Sequence, residues 1–238
     1  MDTIIDFTYI AGSFWYVIGY VKVTLWLTLL SVLIGSLLGM ASALTYINRT
    51  RFLYPVARGY VLICRSLPNM VLLYLVYYGL PVLFMALDGE TGIHIPFERV
   101  PAELVAVIGL SLHTGAYLSE IFRAAIQSVP EGQAEAALTL GMTQSQVFRR
   151  IVFPQALVFA LPLFANQFLS TMKSTSICFV ITVVELFGAA KLYCEDNSQY
   201  FEAYIVVAFL YWGMGILFEL FFQNMEYRAG KFRRGRAA

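Results

Sequence analysis

The residues of this chain with chemical work to do are polar and charged side chains set inside long apolar runs. A charge at the centre of a membrane span costs about 2.5–3.5 kcal/mol, so each one needs a partner or a task. The richest group is Asn166, Ser170, Lys173 and Ser174, whose spacing sets them along one face of a helix, with Gln167, Thr171 and Thr175 widening the stripe. Such a row of amide, hydroxyl and ammonium groups suits the wall of a hydrated pathway or a pocket for a polar solute. The same groups could instead bond back to their own helix or across to a neighbour. Lys173 would either pair with a carboxylate across the bundle or stand beside a substrate carboxylate. Glu185 would either draw an amino group toward the mouth of the pathway or rest at the interface with its carboxylate in water. Glu120 and Arg123, three residues apart, can pair on one helix face. Pro68 removes a backbone donor and opens its helix, and Arg65 would snorkel or hold that break. His113 and Glu219 are expected to meet groups on neighbouring helices.

Bond-making constellations are missing from the sequence. There is no G-x-x-x-x-G-K-[ST] stretch to cradle a nucleotide, no metal spacing of His and Glu, and no nucleophile elbow. An intramembrane enzyme would need paired catalytic residues that the spans do not offer. If the chain moves a solute against a gradient, the energy must come from another subunit.

A second set of residues can build a docking surface. The stretch EAALTLGMTQSQVFRRIVFP runs from Glu135 to Pro154 between two apolar segments. Ser128, Pro130 and Glu131 form a capping-box pattern that would start a helix. Gly141 would end it, since glycine takes the left-handed C′ conformation freely. Thr143 and Gln146 form a second box that starts the next helix. Ala134, Glu135, Ala136 and Ala137 leave a low-relief surface for a close approach. An amphipathic elbow between two spans has little reason to exist unless a partner docks on it.

The elements that position these residues follow from composition. The chain of 238 residues is 59% hydrophobic and 13% charged, with mean hydropathy +0.71, against about 45–50% and 25% in soluble domains. These values predict an all-α polytopic membrane protein, and the net charge of +1 argues against a nucleic-acid role. Five spans are expected, at 21–47, 56–83, 104–128, 155–184 and 203–225, with a cytoplasmic elbow over 129–154 in a single membrane domain of residues 1–238. The 56–83 region is read as one helix bent at Pro68, because it is too short for two full spans. Basic residues collect at Arg49, Arg51, Arg58, Arg149, Arg150, Arg228, Lys231, Arg233, Arg234 and Arg236. Acidic ones collect at Asp2 and Asp6, at Asp88, Glu90, Glu98 and Glu103, and at Glu195, Asp196 and Glu202. The bias places the N-terminus outside and the C-terminus in the cytoplasm. The first twenty residues lack the basic n-region of a removable signal peptide, and Cys64, Cys178 and Cys194 have no redox or metal spacing.

Glu135-Ala136-Ala137, then Gly141, then Ile151-x-Phe153-Pro154 resemble the EAA loop of the membrane subunits of bacterial ATP-binding-cassette importers, which usually carry Leu where Phe153 stands. The run AYLSEIFRAAIQSVPEGQ from Ala116, together with Arg65-Ser-Leu-Pro68 and Lys173-Ser-Thr-Ser176, resembles the polar amino-acid uptake branch of that family. The resemblance covers Val21 to Phe222. It implies a type I importer membrane domain in the bacterial cytoplasmic (inner) membrane, with Glu135, Ala136, Ala137, Gly141, Ile151 and Pro154 contacting the ATPase. It implies two cytoplasmic ATPase subunits, which bind the ATP and Mg²⁺ while this chain binds no cofactor. A second permease chain, identical or homologous, an extracytoplasmic solute-binding protein and membrane lipid complete the expected partners. The substrate would be histidine, arginine, glutamate, glutamine, cystine or a relative. The competing reading from the residues alone is a channel or sensor subunit gated by a cytoplasmic partner.

Overall fold

In hydrocarbon a backbone N–H has no water to turn to, so apolar runs fold as helices that satisfy their own backbones. The computed structural model describes residues 6–91, 100–195 and 197–234, with 89–91 and 231–234 described by their backbone alone. Among the charges used to orient the chain, Asp2, Glu98, Asp196 and Arg236 lie outside the described residues, as do the side chains of Glu90, Lys231, Arg233 and Arg234. All the regular elements among the described residues are helical.

Helix α1 (Phe7–Val17) is capped by the Asp6 carboxylate, which accepts the N–H groups of Thr8 and Tyr9. A 3-10 turn, Ile18–Tyr20, joins it to α2 (Val21–Asn48), so the first apolar helix runs Phe7–Asn48 rather than starting near residue 21. Next come α3 (Leu53–Ser66) and α4 (Asn69–Thr91). The single bent helix expected over 56–83 is therefore two helices. Leu67 between them is extended, with φ −86° and ψ 141°, as the ring of a following proline demands. With 14 residues α3 is too short to cross a membrane, and only Asn69–Asp88 of the pair is long and apolar enough.

The chain continues through α5 (Ala102–Gln127), α6 (Glu131–Thr139) and α7 (Gln144–Val147). A π-helical turn, Phe148–Val152, leads without a loop into α8 (Phe153–Ser174) and then a 3-10 stretch, Thr175–Ile181. Helices α9 (Leu186–Tyr193) and α10 (Tyr200–Arg234) close the fold. Among the described residues five helices are long and apolar enough to cross a membrane: Phe7–Asn48, Asn69–Asp88, Ala102–Gln127, Gln144–Ile181 and Tyr200–Gly230.

The centre of the bundle is the parallel pair α2 and α5. Small residues at Ser31, Gly35, Gly39 and Ala43 recur every four positions and are buried, which lets the two backbones approach closely. A Cβ on Gly39 would lie 2.9 Å from Leu118 Cβ and 3.0 Å from the Gly115 carbonyl. Helix α8 packs on α5, and α10 runs antiparallel to α8 through the rings of Phe164, Phe168, Phe218 and Phe222. Ala43, Leu118, Phe122, Ala156 and Ala160 form the core at the end of the bundle that carries the elbow. Val17, Leu186, Ala189, Ala190 and Ala203 form the core at the opposite end. The last turns of α2 and α10 and the first turn of α8 thus share the elbow end, which gathers Arg49, Arg149, Arg150 and Arg228.

Candidate functional site

The elbow is built by local rules. At the end of α6 the backbone of Gly141 is left-handed, with φ +84°. Its N–H donates to the Leu138 carbonyl at 2.9 Å, and that of Met142 donates to Ala137 at 3.2 Å; this pair of bonds is a Schellman cap. Thr143 and Gln146 exchange hydrogen bonds of 2.9 and 3.3 Å as a capping box. The first box does not form. Ser128 caps the end of α5 instead, its hydroxyl donating to the Ala125 carbonyl at 2.7 Å, and α6 starts after Pro130. The extended Pro130 backbone sets the start of α6 at Glu131, three residues beyond Ser128 and out of capping reach.

Glu135, Ala136, Gly141 and Pro154 are exposed, and Leu140 stands 85% exposed beside them. Ala137 is buried and Ile151 half-buried, so these two face inward, with α6 resting on the π-helical turn. Gln155 Nε2 donates to Gln133 Oε1 at 2.6 Å and to the Ile151 carbonyl at 2.8 Å. That clasp ties α6 to the first turn of α8.

The polar stripe of α8 divides. Asn166, Ser170 and Lys173 are exposed and Ser174 is half-buried, whereas Gln167, Thr171 and Thr175 turn into the bundle. The Thr171 and Thr114 hydroxyls are 2.9 Å apart, which joins α8 to α5. The inner row is structural glue, and only the outer row can meet a solute or a second subunit. Among the described residues no carboxylate pairs with Lys173. The cross-bundle ion pair weighed for it does not form among the described residues, where the surface it projects from is uncovered.

Glu185 reaches neither solute nor interface water. It is fully buried and caps α9. Glu120 and Arg123 do pair, with Arg123 Nε donating to Glu120 Oε2 at 3.1 Å and Nη1 to Gln127 at 3.0 Å. Arg65 stacks over the Tyr117 ring, 5.2 Å from its centre, and so holds the end of α3 to α5 across the break. Pro68 offers its carbonyl to the Leu72 N–H at 3.0 Å, starting α4. His113 packs on Tyr117 of its own helix, ring centres 4.9 Å apart. Glu219 accepts from Gln223 one turn along α10 at 3.3 Å, in place of the neighbouring-helix partner expected.

Two features escaped the sequence reading. The four-residue period of Ser31, Gly35, Gly39 and Ala43 is visible in the sequence and marks the central helix contact. The meeting of Thr24, Glu185 and Tyr211 has no local signal at all.

Five apolar helices around a small-residue seam, with an exposed capped elbow and an uncovered polar face, define the fold of a multi-pass transport subunit. The chain belongs to the family of binding-protein-dependent transport system inner membrane components, which it matches over residues 31–231. It is 37% identical over 220 residues to a probable amino-acid permease protein of Bacillus subtilis (strain 168), covering 92% of this chain and 93% of that relative. It is also 37% identical over 212 residues to an L-cystine transport system permease protein of the same organism, covering 89% and 86%. The crystal structure of an amino acid ABC transporter with histidines superposes with a TM-score of 0.80 at 33% identity, covering 95% of this chain and 100% of that one. The protein is thus an inner-membrane permease component of the amino-acid ABC importer family.

Proposed function

We propose that this chain forms half of the pathway of an ATP-driven importer for a polar amino acid and couples that pathway to cytoplasmic ATPases. ATP and Mg²⁺ belong to those ATPase subunits, one gripping each elbow, and this chain carries out no chemistry itself. Two such membrane subunits, identical or homologous, frame the pathway, and an extracytoplasmic binding protein delivers the solute. The elbow end, where Arg49, Arg149, Arg150 and Arg228 gather, faces the cytoplasm, in keeping with the positive-inside rule.

The observation that carries this reading is the elbow. Two independent caps hold Glu135, Ala136, Leu140 and Gly141 at the surface, and an exposed leucine held rigidly there suits a partner's groove. Helix α8 then leads from the elbow to Asn166, Ser170 and Lys173 without a flexible loop. A displacement of the elbow therefore reaches the polar face directly, in the manner of a rigid-body switch.

Purifying the tagged chain from its native host in mild detergent tests the assembly. An ATPase at one copy per membrane subunit is the expected companion, and a second permease chain would make the core a heterodimer. Recovery of the chain alone, or with a partner lacking ATPase activity, would overturn the importer reading. Replacing Glu135 should abolish uptake while leaving the protein in the membrane; undiminished uptake would sink the docking claim.

A further inference from the structure

A carboxylate with no cation paired to it among the described residues lies buried at the end of the bundle away from the elbow. Glu185 is 0% exposed. Its Oε1 accepts the N–H groups of Phe187 at 2.8 Å and Gly188 at 3.0 Å, at the head of α9. Its Oε2 accepts the Tyr211 hydroxyl of α10 at 2.6 Å and the Thr24 hydroxyl of α2 at 3.3 Å. Thr24 Oγ1 in turn accepts the Leu186 N–H at 3.3 Å. The Tyr211 hydroxyl also meets Thr175 Oγ1 at 3.2 Å, where α8 gives way to the 3-10 stretch. One side chain thus gathers α2, α9, α10 and the end of α8.

The segment held this way has little regular structure to hold itself. Between Thr175 and Glu185 it passes from 3-10 turns through a left-handed Thr182, φ +68°, to the extended Glu185. A carboxylate is acceptor-only with about four lone-pair sites, and here four donors converge on it. Nothing remains for a solute to bind, and the site offers it no way in.

We propose that Glu185 is a positioning residue for transport, resting on the importer reading above. It locks the segment from Thr175 to Tyr193 onto α2 and α10. The outer row of α8, which ends at Ser174, then moves with those helices as one body when the elbow is displaced. The role needs hydrogen-bond acceptance, not a charge offered to substrate. A glutamine keeps an oxygen for the two N–H donors, and its amide can donate to hydroxyls free to rotate. Alanine takes the acceptor from the Phe187 and Gly188 N–H groups and the Thr24 hydroxyl and leaves Tyr211 only its contact with Thr175.

The test uses the whole complex, with its ATPase and binding protein, in proteoliposomes. The three cysteines of this chain are buried, so Ser170→Cys is read with a membrane-impermeant maleimide by following the label on this chain alone. Labelling is compared without nucleotide and after trapping with ATP and orthovanadate. The native sequence and Glu185→Gln should both show the nucleotide-dependent change. Glu185→Ala should lose it about tenfold while ATP hydrolysis continues, and Tyr211→Phe about fivefold, as one buried hydrogen bond would suggest. Should the alanine variant fail to assemble, Tyr211→Phe, which keeps the ring, decides. Full switching in Glu185→Ala or Tyr211→Phe would overturn the proposal, as would a glutamine variant as inert as alanine. A native complex that shows no change at all removes the importer reading, and the proposal with it.

Discussion

Gly141 is the position where the elbow can be perturbed by one variable. A Cβ built on this glycine meets nothing within 4 Å, so a larger residue suffers no clash. What it suffers is the backbone, because φ is +84° and a left-handed conformation costs an L-residue about 1–2 kcal/mol. The alternative is to leave that conformation and lose the two capping bonds from Gly141 and Met142. If docking needs the ordered end of α6, a loss of 1–2 kcal/mol translates into roughly 5–30-fold fewer docking-competent elbows. Asparagine visits the left-handed region more readily than other residues, and a β-branched valine tolerates it least. Uptake by the reconstituted complex should therefore fall in the order Gly, Asn, Ala, Val. Amounts of membrane-inserted protein should stay level, since the site lies outside the apolar bundle. The ATPase should co-purify in the same declining order. Equal uptake by Ala and Val variants at the wild-type rate, or an Asn variant as impaired as Val, would refute the capping argument.

Three further outcomes follow from the geometry. Gly39→Ala forces its methyl against Leu118 Cβ at 2.9 Å and the Gly115 carbonyl at 3.0 Å. Thermal unfolding in detergent should show a loss of about 1–3 kcal/mol, and an unshifted transition would mean that the α2–α5 seam can open freely. Glu120→Gln breaks an ion pair whose side chains are 26% and 35% exposed. Such a pair is worth less than about 1 kcal/mol, so the same measurement should barely move; a larger drop would assign the pair a structural weight its exposure denies. Lys173→Met removes an exposed ammonium that no carboxylate among the described residues pairs with. Assembly should persist while uptake changes, and unaltered uptake would take Lys173 out of the pathway.

Much of this protein is local and can be read from its sequence. Long apolar runs must be helical because lipid leaves the backbone no other partner, and five such helices are present among the described residues. The caps at Gly141 and at Thr143 with Gln146, and the pairing of Glu120 with Arg123, involve residues within three positions or so of each other, where spacing alone sets geometry. Spacing fails wherever a distant neighbour decides. Ser128 and Glu131 have the right pattern for a capping box, yet the serine bonds back to α5 and the next helix begins only after Pro130. Helical periodicity places Asn166 and Gln167 in adjacent rows but cannot say which row another helix will cover. Contact with α5 buries the Thr171 side and leaves the Lys173 side open. Glu185 is the sharpest case. A glutamate near the end of an apolar run reads as a wetted or solute-facing charge. Tertiary packing surrounds it instead with four donors, one of them Thr24, 161 positions away along the chain. Sequence alone determined that the apolar segments are helical and where the elbow turns, but not that the 56–83 region divides into two helices at Pro68. The tertiary structure decided which polar groups face a pathway and which face each other, because burial depends on what another part of the chain brings to that point.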